Sequence, residues 1–96
     1  MPYKIRITGD AEHDVRNLPG NVRQRARRVI KSLADDPRPA GARELRGRPG
    51  YYRLWLDRWR VIYRIYDDDQ VVLVLRVRRK TGPETYHEMR GELEPW

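Results

Sequence analysis

Polar and apolar residues alternate with a period of two at the start of the chain. Tyr3, Ile5 and Ile7 interleave with Lys4, Arg6 and Thr8, the pattern of a strand with one buried face. The period then lengthens. Ala11, Val15 and Leu18 recur at helical spacing behind Asp10, a residue suited to cap a helix. Pro19-Gly20 ends that helix, because the residue before a proline resists the α region. Asn21 followed by Gln24 reads as a second helix start of the capping-box kind. Val22, Ala26, Val29, Ile30 and Leu33 keep one apolar face through about Ala34. So short a link makes the two helices a hairpin.

Asp35 to Gly50 holds three prolines and three glycines and reads as a long connection, with a short extended piece at Glu44 to Arg46. Three strands follow at Tyr51–Leu56, Trp59–Tyr66 and Val71–Arg78. A tight turn at Asp57-Arg58 would pair Leu56 with Trp59, Trp55 with Arg60 and Arg53 with Ile62. Gly82-Pro83 then punctuates the chain, and a short C-terminal helix over Glu84 to Glu92 can follow. The expected fold is one α+β domain over residues 1–96: an N-terminal strand, a helical hairpin and a three-stranded antiparallel meander packed on the helices. Residues 84–96 form an acidic C-terminal segment.

Composition narrows the chemistry. The 96 residues are 39% hydrophobic and 36% charged, with 21 Lys and Arg against 14 Asp and Glu, a net charge of +7. Only Lys4, Lys31 and Lys80 are lysines, and arginine forks two donors toward a phosphate, so the balance favours a polyanionic partner. The absence of cysteine excludes a disulfide framework, a thiolate nucleophile and a Cys-type zinc cluster. The N-terminus lacks the apolar run of a signal peptide, and the longest aliphatic run, Val71 to Leu75, is too short to cross a bilayer. A small soluble protein of the cytoplasm, without a membrane partner, is the expectation.

Strand parity gives the arginines a direction. Tyr52, Leu54 and Leu56 share one face with Trp59, Val61, Tyr63 and Ile65; Tyr51, Arg53 and Trp55 share the other with Arg60, Ile62, Arg64 and Tyr66. In the third strand Val71, Leu73, Leu75 and Val77 alternate with Val72, Val74, Arg76 and Arg78. Burying two unpaired arginines would cost several kcal/mol each, so the register exposing Arg76 and Arg78 is expected. The open face then carries Arg53, Arg60, Arg64, Arg76 and Arg78 among Tyr51, Trp55 and Tyr66; Lys4 and Arg6 join it if the first strand packs Tyr3, Ile5 and Ile7 inward. Every charge on the three-stranded part is positive, and arginine interleaved with aromatics suits phosphate contact plus base stacking. The basic residues of the second helix (Arg23, Arg25, Arg27, Arg28, Lys31) allow three readings: a phosphate contact, a dock for an acidic partner, or a solvated face.

The element order, together with Leu45-Arg46-Gly47, Tyr52-Arg53-Leu54, Trp59-Arg60-Val61-Ile62-Tyr63 and the stretch Val77 to Tyr86, resembles the RelE/ParE toxin superfamily of type II toxin–antitoxin systems. Leu18-Pro19 and the Asp-Pro-Arg-Pro run at residues 36–39 fit as well, so the resemblance spans Tyr3 to about Met89. A tyrosine after a basic cluster, here Tyr86 after Arg78, Arg79 and Lys80, marks the RelE branch, whose members are ribosome-dependent endoribonucleases. The ParE branch poisons DNA gyrase. The resemblance implies a metal-independent endoribonuclease without cofactor, in which a ribose 2′-hydroxyl attacks the adjoining phosphodiester and leaves a cyclic phosphate.

Carried over by resemblance, Arg53 is a catalytic basic residue, Arg60 holds the scissile phosphate, Lys80 is phosphate stabiliser or general acid, and Tyr86 is base or orienter. Arg79 replaces Lys80 if the register slips by one. Arg46 is an RNA contact; Arg48, Arg64, Arg76, Arg78, Arg79 and Trp55 complete the expected RNA-binding set. Arginine does not deprotonate in proteins, so its part is to stabilise charge at phosphorus. Trp55 stands where some members have a second lysine, and Gly82-Pro83 interrupts the run before Tyr86. The implied partners are the ribosome with its mRNA and a cognate antitoxin whose acidic, apolar segment covers the basic face; the toxin alone would be monomeric and would form a hetero-oligomer with the antitoxin. A gyrase inhibitor and a non-cleaving RNA-binding module are the alternatives.

Overall fold

The N-terminal alternation forms β1 (Lys4–Ile7), followed by α1 (Gly9–Arg16), α2 (Gly20–Ser32), β2 (Ala42–Glu44), β3 (Tyr51–Leu56), β4 (Trp59–Tyr66) and β5 (Val71–Arg79). The structure is a computed structural model that describes residues 2–79; Lys80, Tyr86 and the expected C-terminal helix lie outside the described residues. One five-stranded sheet runs in the order β1-β5-β4-β3-β2. β1 pairs with β5 in parallel, and every other neighbour is antiparallel. The architecture is the expected α+β one.

Three boundaries differ from the sequence reading. Thr8, not Asp10, caps α1, its side chain accepting from the Ala11 amide at 3.0 Å. α2 starts at Gly20 behind Pro19 with no side-chain cap, so the expected box at Asn21 does not form; a proline at the boundary already presets the backbone. The extended piece lies at Ala42–Glu44 rather than Glu44 to Arg46, where Ala42 faces Leu54 and Arg43 faces Arg53.

The core lies between the helix pair and one face of the sheet. Ala11, Val15, Leu18, Ala26, Ile30 and Leu33 meet Val61, Tyr63, Ile65, Val72, Val74 and Val77 there. Each fully buried Val or Leu contributes about 1.5–3 kcal/mol. The β3–β4 hairpin has the expected register, with Leu56 facing Trp59, Trp55 facing Arg60 and Arg53 facing Ile62.

β5 corrects the parity expected for the last strand. Val72 and Val74, assigned to the open face, are 0% exposed in the core, while Leu73 faces Arg64 on the open side. A β-bulge resolves the conflict: Tyr63 faces Val74 but Ile62 faces Arg76, leaving Leu75 as an extra residue. Beyond it the phase is reversed. Val77 faces Val61 in the core, and Arg76 and Arg78 face Ile62 and Arg60 on the open side.

Tyrosines tie the long connection down. The Tyr63 hydroxyl donates to the Pro37 carbonyl at 2.8 Å. Arg38 forks onto Asp67 at 2.7 and 3.2 Å and donates to the Tyr52 hydroxyl at 2.9 Å, while Tyr3 donates to Asp67 at 2.7 Å.

Candidate nucleic-acid interface

The sheet face away from the helices is built in cross-strand rows. Lys4, Val71 and Tyr66 form one; Arg6, Leu73, Arg64 and Tyr51 the next; then Arg76, Ile62, Arg53 and Arg43; and finally Arg78, Arg60 and Trp55. The pleat brings these side chains to one surface because residues directly opposite in a sheet share a side. Every charged residue in the four rows is a cation. Arg43, beside Arg53, was not singled out in the sequence, because its strand was expected two residues later and the run Ala42-Arg43-Glu44 carries no period-two pattern of its own.

Aromatic rings and guanidinium groups form a lattice on this face. The Trp55 ring centroid lies 5.6 Å from the Arg53 guanidinium carbon and 5.8 Å from that of Arg60. Arg64 lies 4.4 Å from the Tyr66 centroid and 5.0 Å from that of Tyr51, which Arg48 also approaches at 5.7 Å. Such contacts contribute about 0.5–1 kcal/mol each at exposed sites and fix the planes of the side chains. Trp55 is 39% exposed. Arg60 lies on the expected face yet is only 3% exposed, and Ile62, between Arg53 and Arg76, is 2% exposed. Among the described residues, the buried Arg53 Nε has no hydrogen-bond partner.

A loop closes one end of the face. Leu45 donates its amide to the Tyr51 carbonyl at 2.8 Å, and the Arg48 amide donates to the Leu45 carbonyl at 3.2 Å. Gly50 takes φ 86°, a region open to glycine, while its amide donates to the Glu44 carboxylate at 2.8 Å. Arg48 thereby comes to the Tyr51 ring, and Arg46 is exposed on the same loop.

Two of the expected RNA contacts are placed differently. Arg76 is engaged by Asp14, Nε to Oδ2 at 2.8 Å and Nη2 to Oδ1 at 3.1 Å, and this hydrogen-bonded carboxylate holds the guanidinium above the usual arginine range. Arg79 faces Trp59 on the helix side, where Pro19, Val22, Asp57, Arg58, Trp59 and Arg79 line a groove of about 600 Å³. Acidic residues are drawn to helices and turns. Glu12 pairs with Arg16 and Arg27, Asp57 with Arg25, and Asp67 with Arg38. Hydrogen bonds from Arg38 and Tyr3 hold the Asp67 carboxyl below the usual carboxylate range, as Arg27 does for Glu12. Among the described residues, no group of three or more His, Cys, Asp or Glu is placed to hold a metal ion, and no helix is long and apolar enough to cross a membrane.

A family model described as the ParE toxin of the type II toxin–antitoxin system parDE matches residues 5–81. The chain belongs to this family. The superfamily resemblance read from the Leu45, Tyr52 and Trp59 strings is thereby borne out. The chain is also similar to the mRNA interferase toxin RelE of Escherichia coli, 29% identical over 92% of this chain and 94% of that protein. Among solved structures it is similar to a RelBE toxin–antitoxin complex of Mycobacterium tuberculosis (TM-score 0.72, 28% identity, 82% of this chain and 99% of that one). A further likeness is to an archaeal RelE–RelB complex from Pyrococcus horikoshii (TM-score 0.76, 25% identity, 88% and 100%).

Proposed function

We propose that the chain is a RelE-like toxin of a type II toxin–antitoxin system, an endoribonuclease that cuts mRNA on the ribosome in the cytoplasm. The observation that carries this reading is the cluster Arg53, Arg60, Arg78 and Trp55 on one sheet face, two permanent cations against an indole and a third across the next strand. The relatives named for mRNA interferase activity support it.

In the mechanism that follows, the 2′-oxygen attacks phosphorus, the bond to the 5′-oxygen breaks, and a 2′,3′-cyclic phosphate and a 5′-hydroxyl result. Arg53 and Arg60 clamp the phosphate. Tyr86 takes the proton from the 2′-hydroxyl and Lys80 returns one to the leaving oxygen. No metal enters. Trp55 stacks on a base, while Arg43, Arg46, Arg48, Arg64 and Arg78 hold the backbone. The antitoxin is an acidic, apolar segment that covers this face, giving a hetero-oligomer from a monomeric toxin.

Cleavage of mRNA on programmed ribosomes tests the reading. The wild-type chain should cut, and Arg60→Ala should lose about 10²-fold or more in rate, the cost of removing one preorganised charge-stabilising group. Full activity in Tyr86→Phe would remove its proton-transfer part. The family model's own description keeps one rival in play: a gyrase poison would leave mRNA intact and block supercoiling, so one assay of each kind separates the two.

A further inference from the structure

The extra residue in β5 has a consequence for the basic face. If the pairing of Tyr63 with Val74 continued without Leu75 as a leftover, Val61 would face Arg76, Arg60 would face Val77 and Trp59 would face Arg78. Since sides alternate along a strand, Arg76 and Arg78 would then point under the helices and Val77 would point away from them. The bulge is therefore what sets Arg78 opposite Arg60.

Both ends of α1 hold that bulge. The Thr8 hydroxyl that caps α1 also donates to the Leu75 carbonyl at 2.9 Å. In the last turn, Asp14 Oδ2 accepts the Val77 amide at 3.0 Å as well as Nε of Arg76, and Oδ1 accepts the second Arg76 donor. β1 pairs with β5 only as far as Ile7 and Val74, so beyond that rung the Asp14 carboxylate serves the strand edge in place of a neighbouring strand. The Asp14 side chain is 12% exposed and that of Arg76 30%. A forked, charge-assisted pair in such a setting holds its geometry far better than a solvated surface pair.

We propose that Asp14 is a positioning residue of the basic site: its carboxylate, with the Thr8 hydroxyl, locks the β5 bulge and so keeps Arg78 beside Arg60, using Arg76 as a tie rather than as an RNA contact. The catalytic half of this inference rests on the mRNA-cleaving reading above. A displacement of about 1 Å in a side chain that positions the substrate can cost about 10²-fold in rate.

The test is a double-mutant cycle with a structural readout that needs no RNA. In ribosome-programmed cleavage, Asp14→Ala and Arg76→Met should each lower kcat/KM about tenfold or more, and the double variant should be no worse than the poorer single one. Additive losses would overturn the tie and return Arg76 to the RNA. In the free protein, NMR should show the cross-strand contact between Arg60 and Arg78 and a protected Val77 amide. Both should weaken in Asp14→Ala and persist in Glu12→Gln, a change on the same helix. Survival of both in Asp14→Ala overturns the lock. Should the wild-type chain leave mRNA intact, the functional reading fails by itself while the NMR comparison still decides the lock. If Asp14→Ala does not fold, Asp14→Asn, which keeps one acceptor oxygen, is read the same way.

Discussion

Trp55 and Arg60 show how one side chain can alter what a sheet face does. The indole is exposed, and guanidinium groups from its own strand and the next lie beside it, so it is held as a stacking platform within a field of positive charge. Base–aromatic stacking of this kind is worth about 1–3 kcal/mol per base. Trp55→Leu should therefore weaken binding of a single-stranded oligonucleotide by about five- to 150-fold, and Trp55→Phe should retain most of the affinity; fluorescence anisotropy with a 2′-deoxy substrate analogue, which cannot be cut, checks both. Arg60→Lys should behave as a loss rather than a conservative change, because a lysine keeps the charge but not the planar fork, and cleavage rates would reveal it. The type and face of these two residues were legible in the sequence from strand parity. The burial of Arg60 was not, since parity assigns a side and says nothing of what covers it.

At the scale of elements, the long connection is held by side chains of the sheet it spans. The Tyr63 hydroxyl is buried, which pushes its pKa well above the usual tyrosine range, with the neighbouring Tyr52 acting in the same direction. Folding thus favours the protonated form. Its contribution is complete below about pH 10, where an unfolded tyrosine begins to ionise, and declines as pH rises further. Tyr63→Phe should lose about 1 kcal/mol at neutral pH, because the Pro37 carbonyl loses its donor. It should also show a smaller fall in urea midpoint than the wild type between neutral pH and about pH 11. Asp67 and Glu12 work in the opposite sense: their lowered pKa values support the fold above the usual carboxylate range, and that support fades as acid protonates them. The helices and the three long strands were readable because each carries its own period. Thr8 as cap and the two-residue shift of β2 were not, because Thr8 is chosen by its second bond to Leu75 and β2 by its pairing with β3.

Across the whole molecule, charge is sorted by face. A net charge of +7 would mean little if the 14 acids were spread evenly, but Glu12, Asp14, Asp57 and Asp67 all engage arginines at the helices, turns and strand edge. The sheet rows are left to cations. RNA binding should consequently weaken steeply with salt, and Arg64→Ala should reduce the slope of log K against log salt by about one. Arg25→Ala, which removes a partner of Asp57 on α2, should leave that slope unchanged. An equal reduction in both variants would assign part of the nucleic-acid contact to α2.

Local pattern determined β1, the two helices and the three long strands of this chain, the register of the β3–β4 hairpin and the single sign of charge on the open face. Each depends on residues close in sequence: a period of two or 3.6, a two-residue turn, and alternation along one strand. Tertiary structure decided the phase of β5, the place of β1 beside it, the engagement of Arg76 by Asp14 and the side taken by Arg79. Val71 to Leu75 is apolar at every position, so either parity looks buried from sequence, and only contacts some sixty residues away along the chain choose between them.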